Sequence, residues 1–281
     1  MGLIVNTNLF SLNSQRHVQK TQNALGKSVE RLSSGLRVNS ARDDAAGLAI
    51  SMKLTAHIRS IHQAVRNAQD GISVVQTAEG GLNEIHNILT RMKELATQAA
   101  NGVLGDADRT ALNNEFTDLK TEITRISDTT EFNGSKLING DLSANGVSLQ
   151  VGINNTVNDR IVITGSTFAD IDASSIGLTQ TVSSIDQVAN AQSMLTLVDS
   201  AIAQVSTRRG TLGGVQNRLD STIANLEITG ENLSAANSRI RDADFAVETA
   251  NLTRSQILLQ AGIASLSQAN VLPQYALQLL T

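Results

Sequence analysis

The sequence predicts a mainly α protein: a long antiparallel coiled-coil or helical-bundle rod with a small β-hairpin region at one end. Three observations carry that reading. Seven-residue steps from Val198 land on Val205, Leu212, Leu219, Leu226, Leu233, Ile240 and Val247, an apolar ladder in strict heptad register. Pro273 is the single proline of 281 residues, so most of the chain lacks the strongest helix breaker. Aromatics make up only 2% against 41% hydrophobic residues, and apolar mass built from Ala, Leu, Ile and Val suits narrow helix seams.

The N-terminal stretch Leu3–Leu36 carries Val18, Leu25 and Leu32 at seven-residue steps, with Val29 and Leu36 on alternate positions. That pattern describes an amphipathic helix whose stability must come from packing its stripe on something else. Ser33-Ser34-Gly35, Asn39-Ser40 and Arg42-Asp43-Asp44 interrupt it as a connector, and Asp43 or Asp44 suits the cap of the next helix. The second helix runs from Ala45 to about Ala100 on a ladder of Ile61, Ala68, Val75, Leu82, Leu89 and Ala96, and Asn101-Gly102 stops it. Asp106 or Asp108 caps a third helix, in which Leu112, Phe116, Leu119, Ile123 and Ile126 alternate by four and three.

Glycines break the segment 129–184 into short pieces. Val147, Leu149 and Val151 alternate with polar residues, as do Ile161 and Ile163, so a hairpin is expected around a loop at Asn154–Asp159. The ladder from Val198 then returns along the rod. Its companion positions turn polar at Gly230, Asn237 and Asp244, so this helix is expected to end near Ser238. A final helix shows a wide apolar face, Leu252, Ile257, Leu258, Ala261, Leu266 and Ala269, until Pro273 breaks it. The rod seam is assigned to Ile61, Val75, Leu82 and Leu89, to Leu112, Leu119 and Ile126, and to Val198, Val205, Leu212, Leu219 and Leu226.

Chemistry is sparse. Without cysteine there is no disulfide, thiolate metal site or thiol nucleophile. His17, His57, His62 and His86 form no ligand pattern, and Asp106-Ala107-Asp108 lacks the glycine and glutamate of a calcium loop. No enzyme and no cofactor are expected. The N-terminus shows no signal-peptide pattern, and no apolar run is long enough to span a membrane. Net charge is −4, yet residues 1–60 carry eight Lys/Arg against three acids; their single spacing without aromatics fits a partner-facing surface, not nucleic acid. Asn133-Gly134-Ser135 matches the glycosylation triplet and is read as a chance match.

Longer motifs carry a resemblance. Ile4-Val5-Asn6-Thr7-Asn8, Glu30 through Arg37, Asp43 through Ile50, Asp70-Gly71-Ile72-Ser73 and Glu94-Leu95-Ala96 mark the first half. Val215-Gln216-Asn217-Arg218, Asp242-Ala243-Asp244, Gln256-Ile257-Leu258 and Gln268-Ala269-Asn270 mark the second. Together they resemble bacterial flagellin, the subunit of the flagellar filament, in a short form with a minimal central region. The resemblance implies an inner N-terminal helix and connector (1–46), two outer-rod helices (47–128), a β-rich excursion (129–184), a long returning helix (185–239), and a connector with inner C-terminal helix (240–281). It implies a secreted homopolymer, exported unfolded through the flagellar type III system, with an export chaperone and a filament cap protein as partners.

Polymerisation would then fall to the inner-helix residues Val18, Leu25, Leu32, Ile257, Leu258 and Leu266. Arg91, Leu95 and Glu115 match a surface through which a vertebrate Toll-like receptor reads some flagellins, although Thr90 stands where glutamine is usual. The alternative readings are a hook-filament junction protein or another secreted coiled-coil surface or scaffold protein.

Overall fold

The computed structural model describes residues 7–178 and 184–278, with side chains as far as residue 271. The Ile4-Val5-Asn6 run and the leucines at 279 and 280 lie outside the described residues. Five α-helices are present among them: α1 Leu9–Ser34, α2 Ala45–Ala99, α3 Asp106–Thr129, α4 Val188–Arg241 and α5 Phe245–Gln278. Two antiparallel hairpins fall between α3 and α4 in sequence, β1 Glu131–Phe132 with β2 Ser135–Lys136, and β3 Val147–Gln150 with β4 Arg160–Ile163. The chain divides into two compact units, Met1–Ile58 with Glu231–Thr281, and Arg59–Gly230. Helices α2 and α4 each contribute to both.

The second unit holds the main hydrophobic core. From Ile61 the residues of α2 that turn inward are Ala64, Ala68, Gly71, Val75, Ala78, Leu82, Ile85, Leu89, Met92, Ala96 and Ala99, all buried and spaced by three and four. This is a full a/d seam on one helix face. Helix α4 answers with Ala191, Met194, Val198, Ala201, Val205, Leu212, Val215 and Leu219. Ion pairs Lys93–Asp199 and Arg209–Glu79 set the two helices antiparallel. On α3 the fully buried apolar side chains are Phe116 and Ile123, whereas Leu112, Leu119 and Ile126 are half-buried against the same core.

Side-chain size varies along the α2 seam, and the variation decides what packs there. At Gly71 an added Cβ would lie 2.3 Å from Leu149 Cδ1, so the β3 strand approaches where α2 is thinnest. Asn67 Nδ2 donates to the Gln150 carbonyl one turn earlier, at 2.9 Å. The β3–β4 register pairs Val147 with Ile163 and Leu149 with Ile161, the alternation read from the sequence. The first hairpin was not foreseen. Asn133 and Gly134 both have positive φ, 49° and 77°, the signature of a tight two-residue hairpin turn. The triplet dismissed as a chance glycosylation match was therefore a turn signal. Farther on, Arg208 of α4 donates to the carbonyls of Ala169 (2.6 Å) and Asp170 (3.1 Å), tying the irregular segment down.

Helix ends follow from local chemistry, with three departures from expectation. Asp44 accepts from the Gly47 N–H at 2.8 Å and caps α2, as its position suggested. Neither aspartate caps α3: Gly105 occupies that place, and Asp108 reaches back to its N–H at 3.2 Å. Helix α4 does not stop near Ser238 but continues to Arg241. The polar position that argued for the stop is satisfied across the seam, where Asn237 Oδ1 accepts from Ser51 Oγ at 2.7 Å. Helix α5 likewise passes through Pro273 to Gln278, forgoing one backbone hydrogen bond.

Between α2 and α3 a buried arginine takes the place of a core residue. Arg109 donates to the carbonyls of Ala99 (3.2 Å) and Asn101 (3.1 Å) at the C-terminal end of α2, and pairs with Asp106. It satisfies acceptors that the helix end leaves open. Replacing Arg109 with alanine is expected to cost about 2–3 kcal/mol by stranding those carbonyls, and calorimetry of the purified chain should show a correspondingly lower melting temperature. A Leu82→Ala variant, which opens a cavity in the seam, should cost about 2–5 kcal/mol. Unchanged melting in either would remove that contact from the account of stability.

Candidate functional site

The first unit is built by α1 and α5. Helix α1 turns Ser11, Ser14, Val18, Thr21, Leu25, Ser28 and Leu32 toward its partner, spaced by three and four. From α5 come Glu248, Leu252, Ser255, Leu259, Gly262, Leu266 and Ala269 in the same rhythm. The period matches the core seam of the second unit, but the chemistry differs. Hydroxyls and small residues fill much of it, and a Cβ on Gly262 would come within 3.0 Å of Val18 Cγ2. Small residues bring the helices close yet bury little apolar area per turn.

Polar contacts hold this pair in antiparallel register. Ser28 Oγ donates to Glu248 Oε1 at 2.6 Å inside the seam, and Arg31 lies 3.5 Å from the other carboxylate oxygen. At the other end Asn8 Nδ2 donates to the Ala269 carbonyl and Ser11 Oγ to Asn270 Oδ1, both at 2.7 Å. The connectors are zipped by backbone hydrogen bonds around an antiparallel bridge of Leu36 with Asp242. Arg37 N–H donates to the Arg241 carbonyl (2.7 Å) and Ala243 N–H to the Gly35 carbonyl (2.9 Å). Gly35 supplies the left-handed backbone (φ 71°) that turns the chain out of α1, and Asp244 caps α5 by accepting from the Ala246 and Val247 N–H groups.

Many of the larger apolar side chains of this unit lie outside its seam. Leu9, Phe10, Leu12 and Val29 of α1 are exposed, Phe10 at 63%. On α5 the same holds for Phe245, Val247, Ile257, Leu258 and Ile263, with Ile257 at 60%. Of the residues assigned to polymerisation, Val18, Leu25, Leu32 and Leu266 lie half-buried in the α1–α5 seam, whereas Ile257 and Leu258 face outward.

In the second unit Arg91 and Glu115 meet on the surface at 2.8 Å, and Glu94 is 3.0 Å from the same guanidinium. Glu115, then Glu94, hold the Arg91 charge by raising its pKa. Leu95 is not part of that surface. It is fully buried on the inward face of α2, one seam position from Met92, so the assignment of its side chain to a receptor contact is corrected to the core. The rod-seam residues Ile61, Val75, Leu82, Leu89, Val198, Val205, Leu212 and Leu219 are buried, and Leu226 is half-buried. Among the described residues no group of three His, Asp or Glu could hold a metal ion, and no helix is long and apolar enough to cross a membrane.

Two family profiles match the chain, the bacterial flagellin N-terminal helical region over residues 5–142 and the C-terminal helical region over 195–280. The chain belongs to the bacterial flagellin family. Among its relatives, a flagellin of Halalkalibacterium halodurans is 48% identical across 99% of this chain and 100% of its own length. One from Bacillus subtilis is 43% identical across 98% and 99%. The crystal structure of Bacillus cereus flagellin superposes with a TM-score of 0.50 at 32% identity, covering 61% of this chain and 94% of that one. A flagellar hook-associated protein of Vibrio parahaemolyticus reaches a TM-score of 0.56 at 18% identity, covering 71% of this chain and all of that one, and shows shared fold alone.

Reading this flagellin from its ladders missed the polar half of the site. Ser28, Glu248, Asn8 and the Lys27–Asp43 ion pair (2.7 Å) carry no periodic apolar signal. The signal for it is the recurrence of Ser14, Thr21 and Ser28 at seven-residue steps along α1. Asp43 bonds Lys27 and Ser40, and these contacts hold its carboxyl well below the ordinary value of 3.8. Because the folded value is the lower one, the stabilisation is fully present above pH 3.8 and fades as pH falls through the folded value. In assembled protein, Lys27→Ala should move the Asp43 titration upward, toward 3.8, as read by carboxyl carbon NMR shifts. An unmoved midpoint would exclude Lys27 as the main cause.

Proposed function

We infer that this chain is a structural subunit of the bacterial flagellar filament, joined to further copies through its terminal helices. One observation carries the reading: serine, threonine and glycine take up much of the α1–α5 seam beside its leucines, while Phe10, Ile257, Leu258 and Ile263 stand outside it. Burying each such side chain against another copy contributes about 1.5–3 kcal/mol. Ordering the helix backbone costs about 1–2 kcal/mol per residue, which a two-helix pair with a polar seam hardly offsets. Folding of the ends is therefore coupled to polymerisation. Relatives that are flagellins over their full lengths support the same reading.

On this reading residues 1–46 and 240–281 form the inner layer of the filament, and 47–239 the outer part. The chain has a mechanical role and no reaction to catalyse. The flagellar filament is an extracellular appendage; we assign export to the flagellar type III system, with a chaperone on the C-terminal segment and a cap protein at the growing tip. The Arg91–Glu115 pair is the receptor-facing feature, with Leu95 supporting it from the core.

Dilute monomer added to sheared filament seeds should elongate them into long helical filaments under the electron microscope. Limited proteolysis of the same monomer should trim both ends and leave residues near 59–230. Exchanging Ile257 and Leu258 for serine should stop elongation without altering the melting of the second unit. Ends that resist protease as well as the centre does would overturn the coupling of folding to assembly.

A further inference from the structure

Helix α5 passes through Pro273, and this leaves a gap in its hydrogen bonding. Residue 273 would normally donate its N–H to the carbonyl four residues back, at Ala269. Proline has no N–H to donate. The Ala269 carbonyl is thus an open acceptor in the helix interior, on a residue only 6% exposed. An acceptor left open at such a site is costly.

It is not left open. Asn8 Nδ2 donates to the Ala269 oxygen at 2.7 Å. The same amide caps α1, where its Oδ1 accepts from the Ser11 N–H at 3.1 Å. Ser11 in turn donates through Oγ to Asn270 Oδ1 at 2.7 Å. One side chain therefore begins the first helix and completes the last. Only an amide does both: aspartate caps but cannot donate, and serine is too short to reach in both directions.

We propose that Asn8 is the positioning residue that selects the pairing register of the terminal helices during assembly, by occupying the carbonyl that Pro273 leaves vacant. The inference rests on the assembly reading above. Sliding α1 along α5 by one heptad keeps the same faces together but presents Asn8 with a carbonyl already bonded within its own helix. Val18, Leu25 and Leu32 and Leu252, Leu259 and Leu266 each recur every seven residues, so within the seam only Glu248 with its two partners and Ser11 with Asn270 oppose a heptad slip besides Asn8. The proline-opened acceptor distinguishes one register from its neighbours. Pro273, expected to end the helix, marks an address along it.

A double-mutant cycle tests this on the full-length chain, with the critical monomer concentration for elongation of seeds as readout. Asn8→Ser keeps a good cap and loses the bridge, and should raise that concentration about tenfold, the order set by one stranded buried carbonyl. Pro273→Ala restores the internal N–H. In that background Asn8→Ser should change the concentration by less than about twofold. Pro273→Gln serves as a second background should the alanine variant not elongate. Monomer melting should not move in any variant, because the paired ends form on assembly. Equal penalties in both backgrounds would overturn the proposal, as would a monomer whose melting falls with Asn8→Ser. Failure of the unsubstituted chain to elongate would instead overturn the assembly reading itself.

Discussion

The seven-residue register of α2 is the constraint on which the second unit depends. From Ile61 to Ala99 one side of that helix is turned inward at every step of three or four, and each layer above it is set by the residue size there. Alanine and glycine around Ala64–Gly71 let β3 lie against the helix. Leucine, isoleucine and methionine from Leu82 to Met92 form the wider part of the core with α3 and α4. A helix interface with few aromatics reaches native packing density only by this kind of grading. The scarcity of Phe, Tyr and Trp is therefore not a deficit of core but a consequence of its narrowness.

The first unit uses the same period for a different end. Its seam interleaves Ser11, Ser14, Thr21 and Ser28 on α1 and Ser255 and Gly262 on α5 with leucines, so it gains less apolar burial per turn than the seam of the second unit. What would stabilise these helices is instead displayed outward. On the proposed function, adhesion displayed outward makes order in the ends conditional on neighbours. The connectors fit this logic: backbone hydrogen bonds between Arg37, Arg241, Gly35 and Ala243 fix the crossing without demanding particular side chains.

Polar groups do the specifying that an Ala- and Leu-rich chain does poorly. Leucine ladders fit one another in several registers, because neighbouring heptads are nearly equivalent. Arg109 on the end of α2, Arg208 on the Ala169 and Asp170 carbonyls, Asn237 with Ser51, and Asn8 with Ala269 each make contacts that a shifted register would break. They are few, and Arg109, Arg208 and Asn8 sit where backbone carbonyls would otherwise lie open. Burial of apolar area supplies the energy of this fold, and these contacts select among ways of gaining it.

The α-helical class, the extents of α2 and α3, the β3–β4 hairpin and the family were legible in the sequence, because periodicity and glycine clusters are local and survive without knowledge of neighbours. Where the reading failed, the deciding partner lay far away along the chain. Asn237 looked like a fault until Ser51 came opposite it, and Leu95 looked like surface until α2 was rotated into its core. Pro273 read as a stop because a lone helix has no way to satisfy the carbonyl it strands; the tertiary structure brings Asn8 to that carbonyl, and the helix continues. Local propensity determined which segments are helical, and only long-range pairing decided which of their faces meet.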